Sequence, residues 1–337
     1  MAVIVSIINL KGGVGKSTLA MIIAEYLSFH YKYNKRVLLV DMDAQANLSY
    51  IMVPYRWISS QTENHRTIYH FFESAILGRQ VSLSDFVARP PLIVSNINRQ
   101  FNSELNRSRE TLDMVISTPQ VAQLDEKLLQ LWENGQSMPK NLRNMLKEGI
   151  EQVQDQYDVV LIDCPPGLSL FSSTALIASD FFISPIIPEP LSLEGVRLIQ
   201  DRARELSRIP NCKVEFAGVV LNIVKHYRNT HKATAGEIYG RRSSELRPFL
   251  AWIPDNERIR ALGEFEIDTE RIRDGWAAGV DNKFHTVDAK YSISWLLSNP
   301  IDGALAPIRE VEGARYRINE RLERLVGEFG QRIGIFT

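Results

Sequence analysis

Residues 9–18 read Asn9-Leu10-Lys11-Gly12-Gly13-Val14-Gly15-Lys16-Ser17-Thr18. An apolar run, residues 3–8, precedes them, and an amphipathic segment, residues 17–31, follows. Strand, glycine-rich turn and helix in that order form the context of a phosphate-binding loop. Glycine permits backbone angles closed to other residues, so successive N–H groups can close on phosphate oxygens. The N-terminus of the next helix adds the positive end of its dipole. In such a loop Lys16 reaches the β- and γ-phosphates and Ser17 offers its hydroxyl to Mg²⁺. Gly12, Gly13, Val14, Gly15 and Thr18 complete the nucleotide-binding stretch. The strict pattern has a glycine five residues before Gly15, and Leu10 stands there instead. The match is to a variant, Lys-Gly-Gly-x-Gly-Lys-Ser, with a lysine in front of the glycine pair.

Further short apolar runs occupy residues 37–40, 159–162, 181–187, 216–221 and 249–253. Nearly continuous apolar strands are buried on both faces, as in a parallel sheet covered by helices on either side. Amphipathic helices at residues 17–31 and 193–207 alternate with them. The expected fold is α/β, a doubly wound and mostly parallel sheet. Residues 50–149 fit that rhythm less well. Their patterning predicts helices at 67–77, 120–133 and 142–154 and strands at 92–95 and 114–117. The expected organisation is one α/β domain over residues 1–274, elaborated at about 50–149, with a helical extension at 275–337 packing on it.

With 337 residues and 45% apolar content, the chain can bury a large core. A formal net charge of −1 gives the whole molecule no attraction for nucleic acid, so any such contact needs a local basic patch. Cys164 and Cys212 do not make a disulfide scaffold, and a reducing cytoplasm is the expected home. The apolar start has no basic flank and is interrupted by Asn9 and Lys11, which reads as a buried first strand and not as a signal peptide. No stretch reaches the ~20 apolar residues of a membrane span.

Two strands end in acids. Asp41, Asp43 and Gln45 follow the run 37–40, and Asp163 follows 159–162. Ligands of open parallel sheets bind outside the carboxyl ends of the strands, so these groups are placed to face a nucleotide. Asp41 either does so or caps the strand and turn. After Asp163, Pro165 and Pro166 stiffen the chain and Gly167 leaves one mobile point, which suits a loop that senses a γ-phosphate.

These motifs resemble the ParA/MinD family of deviant Walker A ATPases, a branch of the P-loop NTPases (SIMIBI-like), and the ParA type within it. The resemblance runs from Met1 to about Gly263. Residues 67–72 and 189–195 also look like family segments, and 275–337 do not. It implies that Lys11 is the signature lysine, reaching across a dimer interface to the phosphates of the other subunit. The segment from Asp41 to Asn47 is similar to Asp-x-Asp-Pro-Gln-x-Asn, with Ala44 at the proline. That likeness makes Asp43 the residue that positions the attacking water, in a catalytic set of Lys11, Lys16 and Asp43. It also implies that Asp163 holds Mg²⁺ through a water, that Asn222 hydrogen-bonds adenine, and that Pro254 lines the base pocket.

The function implied is a slow ATPase that forms a homodimer on Mg-ATP, binds DNA without sequence preference and is switched off when a ParB-like partner or cargo adaptor stimulates hydrolysis. Nonspecific DNA binding needs a basic surface. The candidates are Arg197 and Arg202, in a group with Arg204 and Arg208, and Arg241 and Arg242, in a group with Lys225, Arg228, Lys232 and Arg247. Acids are interspersed in both groups. A nucleotide switch for a non-DNA cargo is the alternative. A MinD-like membrane ATPase would need a terminal amphipathic helix. Residues 314–335 carry an apolar stripe of Ile318, Leu322, Leu325, Val326, Phe329 and Ile333, but the polar face mixes Arg and Glu. Docking on the protein's own body is the expected use of that stripe.

Overall fold

β1 (Val3–Ile7) lies at the middle of the sheet, hydrogen-bonded in parallel to β4 (Val159–Asp163) on one side and β5 (Phe181–Ile186) on the other. With β2 (Val37–Asp41), β3 (Leu112–Val115) and β6 (Glu215–Leu221) the order is β3-β2-β4-β1-β5-β6, parallel throughout. The chain leaves β1 toward β2 and β3, then leaves β4 toward β5 and β6. The crevice where the winding reverses lies at the carboxyl ends of β1 and β4, where nucleotides bind in such sheets. The computed structural model describes residues 1–29, 33–53, 55–89, 112–134, 142–225, 227–240, 242–256, 259 and 318–336, with short strand segments at 265–267, 286–289, 308–309 and 315–316.

Alternation along the strands divides the core in two. Val5, Ile7, Val37, Leu39, Val159 and Leu161 point to one face and pack under α1 (Lys16–Phe29). Ile4, Leu38, Val40, Val160 and Ile162 point to the other. There they meet α4 (Ile68–Ile76), α5 (Gln123–Glu133), α6 (Met145–Glu151), α7 (Leu170–Ala178) and α8 (Pro190–Leu206). Burial on both faces is why these strands read as unbroken apolar runs. The ends of the helices follow local chemistry. Ser169 and Ser172 form a reciprocal capping box at α7, and Pro190 opens α8 where its missing N–H costs nothing. Between β2 and α4 lie α2 (Asn47–Met52) and α3 (Tyr55–Glu63), and after β6 lie α9 (Asn229–Tyr239) and α10 (Ser243–Leu246).

Several expectations change. Residues 249–253 form no strand. Pro248 and Pro254 bracket them and cannot donate to a ladder, and Arg247 enters with φ 44°. The segment instead follows β6 through Phe249 N–H to Val219 O (2.9 Å) and Ile253 N–H to Leu221 O (2.8 Å). The helix expected at 120–133 starts as a 3₁₀ turn, Pro119–Ala122, and the one at 142–154 shortens to Met145–Glu151. The strand expected at 92–95 lies outside the described residues.

The apolar stripe near the C-terminus forms α11 (Ile318–Arg332). Leu322, Leu325, Val326, Phe329 and Ile333 are all buried in the cluster that contains α1. A fully buried Leu or Phe contributes about 1.5–3 kcal/mol relative to exposure. Arg332 donates to the carbonyls of Ala217 (2.8 Å), Pro248 (2.6 Å) and Arg247, and its guanidinium lies 4.0 Å from the Phe249 ring centroid. Arg321 stacks at 3.9 Å over Trp252. The helix thus clips the 247–252 segment to the body, and its apolar face is unavailable to a membrane. Among the described residues no helix is long and apolar enough to cross one.

Candidate nucleotide-binding site

The glycine loop lies between β1 and α1 at the reversal point of the sheet. Gly13 and Gly15 have φ of +72° and +82°, a region L side chains avoid, and added Cβ atoms on Gly12 and Gly13 would meet nothing within 4 Å. The loop is anchored from below by Asn9, which sequence reasoning passed over. Asn9 Nδ2 donates to Pro185 O (2.7 Å), and Oδ1 accepts the Lys11 N–H (2.8 Å). An amide two residues before the lysine, the spacing of a local side-chain turn, was the available signal. Leu10 packs on α8, where a Cβ on Gly195 would sit 3.8 Å from it. The position where the strict pattern has glycine is therefore used for packing. Lys16 is buried, whereas Lys11 is 54% exposed and pairs with Glu189 at 3.1 Å. Glu189 stands just beyond the carboxyl end of β5, a position that marks a candidate in an open sheet.

The two strand-end acids differ. Asp41 and Asp163 are register partners across β2 and β4, and both are fully buried. Asp41 accepts hydrogen bonds from Ser49 N–H (2.9 Å), Ser49 Oγ–H (2.7 Å) and Asp43 N–H (3.1 Å). Of the two options for Asp41, the cap is what the geometry supports. Asp163 has neither carboxylate oxygen in a hydrogen bond of ordinary geometry. Burial, and next the charge of Asp41, push its carboxyl well above the usual range, and nearby Ser17 and Lys16 oppose the rise. A buried carboxylate without a donor is costly to keep, and a cation-bound water would satisfy it. The donor set therefore fits Mg²⁺.

Asp43 is buried at the carboxyl end of β2. Its Oδ1 accepts the Gln45 N–H (2.9 Å) and its carbonyl accepts Ser117 Oγ–H (2.7 Å). Ser117 N–H in turn donates to Ser49 Oγ (2.8 Å). Two serines from distant segments thus fasten the acidic turn to β3. Past β4, Gly167 has φ +87° with open space around it, and Leu168 is 41% exposed. Cys164 is buried beneath the loop, which pushes its thiol up to about 12 and leaves it unreactive.

Asn222 ends β6 beside the loop. Its Nδ2 donates to Val14 O (2.8 Å), and Pro254 is buried across the bridge that pairs it with Val224. Ile223 has φ 52°, a strained conformation for a β-branched residue that costs about 1–3 kcal/mol. The DNA-binding candidates lie away from this crevice in sequence, and each of the described ones has an acidic neighbour. Arg197 pairs with Glu194 (3.2 Å) and Glu245 (2.7 Å), Arg202 with Glu205 (3.0 Å) and Arg242 with Glu237 (2.6 Å). Arg241 lies outside the described residues.

Known proteins place this geometry. Residues 2–216, well over half of the chain, match a family described as an AAA domain. The sporulation initiation inhibitor protein Soj of Bacillus subtilis is 28% identical over 224 residues, covering 66% of this chain and 74% of that one. Among solved structures, an ATP complex of Cyanothece McdA superposes with a TM-score of 0.61 at 15% identity, covering 98% of this chain and 96% of that one. A putative plasmid partition protein of Borrelia burgdorferi bound to AMPPNP gives 0.56 at 24% identity, covering 81% and 95%. With the lysine-flanked glycine loop, the acidic strand ends and the sheet order all in place, the chain belongs to the ParA/MinD family of deviant Walker A ATPases.

Proposed function

We propose that this chain is a ParA-type switch that binds Mg-ATP, dimerises on it, and releases its cargo surface when a partner protein stimulates slow hydrolysis. The main-chain amides of Gly12, Gly13, Val14, Gly15, Lys16, Ser17 and Thr18 and the Lys16 ammonium hold the phosphates. Ser17 through its hydroxyl and Asp163 through a water hold Mg²⁺, which neutralises charge on the phosphate oxygens. Asp43 accepts a hydrogen bond from the attacking water and orients it. Asn222 and Pro254 receive adenine.

The observation that carries the switch is Lys11. Its ammonium is exposed and held by one ion pair to Glu189. Exposed pairs of this kind contribute little, about 0–1 kcal/mol, so Lys11 is free to exchange Glu189 for the phosphates of a second copy. We place the protein in the cytoplasm, on the nucleoid when ATP-bound. The DNA surface is formed by Arg197, Arg202, Arg241 and Arg242, with Arg197, Arg202 and Arg242 exchanging local carboxylates for DNA phosphates. The ParA-family relatives support this reading.

A second reading has a specific observation in its favour. Arg197, Arg202, Arg204 and Arg242 each already have a carboxylate within 3.2 Å. That pairing weakens the basic field, as expected of a switch whose cargo is not DNA. Retention of duplex DNA at low salt, with and without ATP, decides between them. ATP-dependent retention that is lost in Arg197→Glu supports the DNA-binding switch. No retention under either condition leaves the non-DNA cargo.

A further inference from the structure

Asn222 sits against the glycine loop and not merely near it. It is buried, and its Nδ2 donates to Val14 O at 2.8 Å. A Cβ on Gly15 would come within 2.2 Å of that nitrogen, so the absence of a side chain at Gly15 is what lets the two segments touch. Asn222 Oδ1 accepts the Ile223 N–H (2.9 Å), and Asn222 N–H donates to Ile186 O (2.8 Å). The amide orientation is set by its neighbours. The reverse placement would turn an oxygen to Val14 O and an N–H₂ to the Ile223 N–H. The turn that holds this arrangement is strained at Ile223, φ 52°, and is fixed by Val224 N–H to Ile253 O (3.0 Å). Strain kept in place by surrounding bonds points to a demand at that position.

We infer that Asn222 is a positioning residue for the phosphate loop, bracing Val14 and Gly15 before any nucleotide arrives. A base reader would need only to face the base. This side chain instead spends one amide hydrogen on the loop carbonyl between the second and third glycines, and keeps the other for a ligand. Contact with a base and the shape of the phosphate cradle then become coupled through one amide group. The inference rests on the reading of residues 11–17 as the phosphate site, and goes beyond any role in base recognition.

The test uses the full chain without nucleotide. Asn222→Asp keeps the size of the side chain and the acceptor for Ile223 N–H but removes the donor to Val14. Asn222→Ala removes both. Hydrogen–deuterium exchange at the amides of residues 13–17 is expected to rise several-fold in both variants, with β1 and β4 unchanged. Affinity for Mg-tripolyphosphate, which has no base, is expected to fall about tenfold in Asn222→Ala. Unchanged loop exchange in Asn222→Asp overturns the brace, even if Asn222→Ala loosens the loop through lost packing. Unchanged tripolyphosphate affinity alongside weakened ATP binding also overturns it. A wild-type chain that binds neither ATP nor tripolyphosphate strikes the phosphate-site reading instead, and the exchange data still decide the brace.

Discussion

Asp41 and Asp163 stand opposite each other across the β2–β4 ladder, yet only Asp41 is hydrogen-bonded. One acid holds the turn together and the other waits for a ligand. Asp163→Asn is expected to raise the melting temperature of the nucleotide-free chain by a few degrees, because a buried amide costs less than a buried carboxylate. The same change is expected to weaken Mg-dependent nucleotide binding. Asp41→Asn is expected to destabilise by about 1–3 kcal/mol, since its N–H₂ would meet donors from Ser49 and Asp43. Calorimetry with and without Mg-ATP checks both, and equal shifts in the two variants would show that the acids are equivalent.

Lys11 and Glu189 form an exposed pair that competes with dimerisation. Under ATP, Lys11→Ala is expected to remain monomeric by light scattering. Glu189→Gln is expected to dimerise at up to about thirtyfold lower protein concentration, since each dimer gives up two exposed pairs of at most ~1 kcal/mol each. A normal dimer from Lys11→Ala would remove the cross-subunit role.

Asp43 accepts a local N–H and projects from the end of β2, so it is separable from the fold of the loop. Asp43→Ala is expected to retain ATP binding and ATP-dependent dimerisation and to lose turnover by about 10²–10⁴-fold. Steady-state phosphate release measures this, and unchanged turnover would take Asp43 out of the mechanism.

Two histidines set a pH dependence of stability. Burial lowers both His70 and His231 below the ordinary 6.5. His70 also faces the charges of His65, Glu73 and Lys127, and His231 those of Glu189, Arg228, Lys225 and Asp255. Between its folded and unfolded values each histidine binds more protons in the unfolded chain, so its share of stability falls as pH drops below about 6.5, whereas burial raises Asp41 to about 7 and Asp163 well above the usual range, and their share grows as pH falls. Urea unfolding from pH 7.5 to 5 is expected to show His70→Asn gaining stability relative to wild type as pH falls. A difference between wild type and His70→Asn that does not change with pH would contradict it.

The parts of the site that were legible in the sequence depend on local backbone demands. Gly12, Gly13 and Gly15 before Lys16 and Ser17 can be read because the loop needs those residue types in that order. Asp43 and Asp163 can be read because each follows an apolar strand. Glu189, and the bond from Asn9 to Pro185, act through contacts made only when β1 and β5 lie side by side, and no spacing in the chain reveals them. Ser49 and Ser117 satisfy the acidic turn from separate segments, and a lone serine carries no local signal. The apolar residues 249–253 suggested a strand because burial, not pairing, is what hydropathy reports. Phe249 and Ile253 are buried, while Pro248 and Pro254 keep the segment out of the ladder. Besides Glu194 on its own helix, Arg197 pairs with Glu245 on another, so a basic group in sequence became a mixed surface in space.

The most direct measurement is an equilibrium titration of wild type and Lys16→Ala with Mg-ATP. One ATP per chain is expected to bind the wild type, with affinity reduced about 10–100-fold in Lys16→Ala as a charge-assisted contact is lost. A wild-type chain that takes up no ATP, or a variant that binds it as tightly as wild type, would contradict a phosphate cradle built on Gly12, Gly13, Gly15 and Lys16.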